Sequence, residues 1–140
     1  MATFVKYQTF VENLAEKVFN LGSDTLKVAL TLTAPTVATD NGLADITEIA
    51  AGFGYTAGGT QATISSSAQT SGTYKLVLAD VTFTAAGGSI ADFRYVVLYD
   101  DTAISNELIG SWDYGATVTV TDGNSFIVDF DASAGVLTLV

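Results

Sequence analysis

One hundred and forty residues, 49% hydrophobic and only 14% charged, make one domain long enough to bury a core, with a mean hydropathy of +0.40. Fifteen carboxylates against five basic residues leave a net charge of −10, which repels phosphate backbones and argues against nucleic acid as a partner. The chain has no cysteine and no histidine, which excludes disulfides, thiolate and imidazole metal sites, and Ser-His or Cys-His nucleophile pairs.

The spacing of apolar residues predicts an amphipathic helix over residues 6–21. Tyr7, Phe10, Val11, Leu14, Val18 and Leu21 recur at three- and four-residue steps, and Gly22 follows in position to end the helix. The period then switches to two. In TLKVALTLT, Leu26, Val28, Leu30 and Leu32 point one way, Lys27, Thr31 and Thr33 the other, and Pro35 closes the strand. Residues 34–60 are irregular, with a short helix expected at 43–50. They end in GFGYTAGGT, a flexible glycine-rich loop that carries Phe53 and Tyr55.

QATISSSAQ predicts a weak strand and TYKLVLADVTFTA a strong one with a bulge at Asp80. Residues 90–99 are apolar on both faces, as in a central sandwich strand. A short strand follows at 108–112. TVTVTDGNSFIVDF reads as a hairpin turning at Asp122-Gly123. Residues 136–140 form a last strand that needs a partner. Seven or eight strands and one helix predict a mainly β protein, an antiparallel, jelly-roll-like β-sandwich in a single domain over 1–140.

No apolar run approaches the roughly 18 residues that span a bilayer, so membrane insertion by a helix is not expected. The excess of apolar residues instead implies an extensive core plus surface covered by other subunits. MATFVKYQTFVENL lacks the pattern of a secretory signal, which implies synthesis in the cytoplasm. Most aspartates stand at turns, where their role is turn chemistry and solvation.

The chemistry on offer is thin, and no cofactor is expected. Asp129 and Asp131, on one strand face, and Asp100 and Asp101, in one turn, are the carboxylate pairs that glycoside hydrolysis would need, and Trp112 and Tyr114 flank Asp113 and permit a sugar-stacking surface. Asp100, Asp101 and Asp122 are the candidates for a calcium site if the fold brings them together. AGFGYTAGG lacks the lysine of a phosphate loop. Its Phe53 and Tyr55 either form an arm that docks on a neighbouring subunit or pack on their own domain. Arg94, the one arginine, sits in the most apolar strand, so it lies at an edge or in a salt bridge. Phe53, Tyr55, Arg94, Trp112 and Tyr114 are therefore the candidate interface residues.

LADITEIAAGFGYTAGG, GTYKLVLADVTFTA, FRYVVLYDDT, LIGSWDYG and VTDGNSFIVDFDASAGVLTLV, with the opening FVKYQTFVENLAEKVFNLGSDTLKVAL, resemble a recurring small virion structural protein of tailed bacteriophages. The resemblance covers essentially the whole chain. Its motifs are structural and carry no functional residues across. It implies a non-enzymatic virion component made in the host cytoplasm, foremost a head decoration or cement protein. Such a protein sits on the capsid surface, binds the major capsid protein and assembles with itself, most simply as a trimer. The alternative is a tail or tail-fibre subunit whose Trp112 and Tyr114 surface meets a host glycan.

Overall fold

Three long strands set the larger layer. In the computed structural model, which describes residues 2–140, β2 (Leu26–Thr31), β7 (Ile90–Asp100) and β8 (Leu108–Val120) lie side by side. Val28, Leu30, Val97, Leu98, Leu108 and Ile109 are all fully buried, so these strands are covered on both faces. β1 (Phe4–Lys6) adds outside β8 and β3 (Thr60–Ala62) outside β2, and all the pairings are antiparallel.

The opposite layer is a narrower ribbon. β5 (Thr73–Leu78) pairs with β4 (Ile64–Thr70) on one side and β10 (Leu137–Leu139) on the other, and β6 (Val81–Thr84) pairs with β9 (Ser125–Val128). β5 and β6 run on from one another, and so do β9 and β10, antiparallel to them. Between the two sets of pairs, residues 77–80 face the longer excursion 129–136. Asp80, expected as a bulge, is the joint: its Oδ1 accepts the Phe130 amide at 2.9 Å. The described residues thus form ten strands in an antiparallel sandwich, the mainly β fold that the alternating patterns predict.

Several elements differ from expectation. The helix α1 is Gln8–Ala15, shorter than 6–21, and residues 4–6 are a strand. Lys17 ends it with φ 69°, and the Val18 and Lys17 amides reach back to the Asn13 and Leu14 carbonyls. Gly22 plays no part in that stop. Phe19 and Leu21 are buried from a non-helical segment, which is why the apolar period outruns the helix, and Val11 is exposed. Residues 43–50 hold only a 3-10 turn, Leu43–Asp45. QATISSSAQ divides at Thr63 into β3 and β4, one in each layer. The strand expected at 108–112 runs on through Val120.

The hairpin expected at Asp122-Gly123 is the largest correction. The turn is there, but β8 and β9 do not pair with each other. The chain crosses from one layer to the other, held by Gly123 N–H to Ala85 O, Ala85 N–H to Asn124 O, and Gly87 N–H to Asp122 Oδ1. Crossing lets Phe126 stack edge-on against Phe93, at 4.9 Å between centroids, which a flat hairpin could not do.

Asp100 ends β7 with its side chain fully buried. Its Oδ1 accepts the Thr102 and Ala103 amides, while Oδ2 has no N–H donor and faces the Asp24 carboxyl. Burial first, and Asp24 second, push its pKa up to about 7. The folded state therefore binds this proton more tightly than the unfolded chain. The stability it contributes is complete below about pH 4 and lost as the pH rises to about 7. Between about pH 5 and 8 the loss from this group is expected to be on the order of 2–3 kcal/mol. Asp100→Asn, whose amide can donate to Asp24, should remove that dependence. Urea denaturation at stepped pH checks it, and equal pH slopes in the two proteins would refute the proton assigned to Asp100.

Removing residues 136–140 deletes β10 and the buried Leu137, leaving an edge of β5 bare. The truncated chain should lose on the order of 2–5 kcal/mol. A thermal melt matching that of the full chain would show the terminal strand to be dispensable.

Candidate functional site

Side chains alternate along β8, so Trp112 and Tyr114 turn toward the space between the layers and Asp113 turns away. Phe4 on β1 and Val96 on β7 stand opposite Trp112 in register. The Phe4 and Trp112 rings meet at 5.1 Å. Gly110 is needed here, because a Cβ at that position would overlap the Phe4 ring. From the narrower layer Phe130 reaches Trp112 at 5.6 Å and Phe126 reaches Tyr114 at 5.5 Å. The result is an aromatic slot of about 340 Å³, which Ala134, Gly135 and Val136 also line.

The slot exists because the layers differ in width. Five strands at about 4.8 Å spacing span roughly 19 Å between outer axes, and three span roughly 10 Å. The inner face of the wide layer overhangs at the β1–β8 side and is only partly covered. Tyr114 and Ile127 are each 56% exposed at its rim. β1 covers β8 at residues 110–112, and beyond them residues 113–120 have no strand on the outer edge among the described residues.

Among the described residues its charged side chains are of one sign: Asp129 and Asp131 border the slot, and no lysine or arginine does. The Ala134 and Ser133 amides hold the Asp131 carboxyl below the usual carboxylate range, so it stays ionised through the neutral range. Lys75 is engaged with the Ser133 carbonyl at 2.8 Å.

Of the five candidate residues, the structure brings only Trp112 and Tyr114 together. Asp113, expected between them as a sugar partner, lies on the opposite face. There Arg94 grips it with two hydrogen bonds, at 2.7 and 2.9 Å, and lowers its pKa. Arg94 thus takes the salt-bridge alternative, at an exposed site over the Tyr95 ring. Asp122 caps the Gly87 turn near the Ile90 end of β7, while Asp100 ends the same strand, so the proposed calcium ligands do not converge. Among the described residues there is no metal-holding group of three acidic side chains. Phe4, Phe126 and Phe130 were missed. The alternation of Phe126, Val128 and Phe130 on one strand face was the available signal.

Tyr55 is not a surface residue. It is 2% exposed and packs on Phe83. Its hydroxyl donates to Glu48 Oε1 at 2.7 Å and accepts the Leu30 amide at 3.2 Å. Glu48 also holds the Gly58 amide, and Tyr99 donates to the Gly58 carbonyl. The loop's glycines serve close approach rather than reach: a Cβ at Gly54 would overlap the Thr84 carbonyl, and one at Gly59 the Val28 carbonyl. Of the loop's two aromatic residues Phe53 is the exposed one, at 55%, with its ring over Gly88.

No family model, no curated protein and no solved structure matches the chain.

Tyr55→Phe leaves the Leu30 amide and Glu48 without the hydroxyl and should cost about 1–3 kcal/mol. Phe53→Ser should change stability by less than about 0.5 kcal/mol. Chemical denaturation of both separates the two positions. A Tyr55→Phe protein as stable as the parent would remove the hydroxyl network from the account of this loop.

Proposed function

We propose that this chain is a non-enzymatic structural protein of a phage virion, acting as a decoration or cement protein on the capsid surface. It binds the major capsid protein and associates with its own copies, most simply as a trimer. The observation that carries this reading is the aromatic slot beside two incompletely paired strands, a surface suited to gripping another polypeptide. The whole-chain resemblance to small phage virion proteins supports it, as does a composition poor in charge and free of histidine and cysteine. Many copies on a symmetric lattice need only modest affinity per contact, because neighbours reinforce each other.

A second reading draws on Trp112 and Tyr114 standing with Asp129 and Asp131 in one slot. Aromatic faces beside carboxylates suit a sugar, which would make the chain a tail or tail-fibre subunit that meets a host glycan.

Cryo-electron microscopy of purified virions separates the two. The expected result is density at symmetric positions on the head shell, with the slot turned toward a neighbouring chain. Density confined to the tail would overturn the decoration reading in favour of the second.

A further inference from the structure

We infer that the slot receives an extended peptide segment of a partner protein, with basic side chains among apolar ones, which pairs its backbone with the free edge of β9. This rests on the docking role proposed above and names the chemistry of what docks.

The residues along one wall carry the first part of the argument. Phe126, Ile127, Val128, Asp129 and Phe130 all border the slot in unbroken succession. Neighbouring side chains of a strand point to opposite faces, so a surface that meets each residue in turn runs along the strand's edge. That is where unpaired N–H and C=O groups lie. Among the described residues β9 has a single strand neighbour, β6, so its other edge is open.

The facing wall carries the second part. Trp112 and Tyr114 are two residues apart on β8, a backbone spacing of about 7 Å along the strand, the repeat of side chains on one face of an added strand. Backbone pairing at an edge with pockets for alternate side chains is how sheets capture extended peptides.

Charge supplies the third. Asp129 and Asp131 are the charged side chains that line the slot among the described residues, and Arg94 is held by Asp113 on the other face; Lys75, bonded to the Ser133 carbonyl, offsets part of the Asp131 charge and leaves Asp129 as the uncompensated one. A basic segment gains from these carboxylates and an acidic one is repelled. A second copy of this chain, with a net charge of −10, fits poorly.

The probes are three short synthetic peptides. One alternates Val or Phe with Lys, one is the same peptide N-methylated at alternate backbone nitrogens, and one has every Lys replaced by Glu. Each is titrated into the isotope-labelled full chain, with amide shifts read by NMR. The lysine peptide should shift the amides of residues 126–130, and the other two should bind at least about tenfold more weakly. Asp129→Lys, at an exposed side chain with no hydrogen bond in the structure, should weaken the lysine peptide and admit the glutamate one. Equal binding of the N-methylated peptide would overturn strand pairing. Equal binding of the glutamate peptide would overturn the charge argument. Silence of residues 126–130 at millimolar lysine peptide, or shifts there with oligosaccharide alone, would overturn the inference as a whole. A virion map placing the chain off the head, with peptide binding intact, would sink the capsid reading and leave this inference standing.

Discussion

The slot side of the molecule follows from a mismatch in width between two packed layers. A five-stranded layer whose inner face is apolar to its β8 side must cover that face with something, and the ribbon opposite is only three strands wide. The fold answers with large side chains rather than with backbone. Phe126 and Phe130 lean out from β9 and the excursion beyond it to meet Tyr114 and Trp112. Rings bury much area per residue but do not tile as closely as a strand. The space left over is the slot. The crossing turn at 121–124 belongs to the same solution, since it carries the chain from β8 to the opposite layer, where Phe126 and Phe130 meet Tyr114 and Trp112.

The acidic balance has a local cause. Asp24, Asp40, Asp80, Asp100, Asp113, Asp122 and Asp131 each accept at least one backbone amide. A carboxylate satisfies donors that tight turns leave without partners, and it does so more strongly than a neutral acceptor. A β-rich chain with many turns and little helix therefore accumulates aspartate for structural reasons. The long-range consequence is a surface that repels anions. Asp100 is the exception in burial. It closes the junction between residues 20–25 and 100–107, where Thr25 N–H donates to Thr102 Oγ1 and Asp101 N–H to the Thr25 carbonyl. Its proton couples that junction to pH.

Alternation made the strands legible, and apolar residues on both faces made 90–99 legible as central. It did not make partners legible. The period of two says which face a side chain takes, and VTVTDGNSFIVDF has the same period whether β9 folds back on β8 or crosses to β6. The choice is made by Phe93, more than thirty residues away in sequence from Phe126. The helix was overlong because Val18, Phe19 and Leu21 bury themselves from irregular backbone as well as from a helix. Trp112 and Tyr114 could be picked out as aromatics near an acid, but alternation alone already places Asp113 on the other face. Phe4, Phe126 and Phe130 join them only through packing. The glycines around Tyr55 read as flexibility because a sequence does not show which carbonyl lies where a Cβ would go.

An open strand edge is a hazard as well as an opportunity, since it pairs with any suitable strand, including one from another copy. At β9 the hazard is countered by the same features that give the slot its chemistry. Asp129 and Asp131 put like charge in the path of a second copy, and the 129–136 excursion interrupts the edge before it reaches β10. A longer, uncharged edge would bind more tightly and less selectively. Here the apolar rings provide the grip and the carboxylates decide who is gripped, so affinity and selectivity fall to different residues of one surface. Neutralising the aspartates would therefore be expected to widen the range of chains the slot accepts, its own copies among them, rather than to weaken association uniformly.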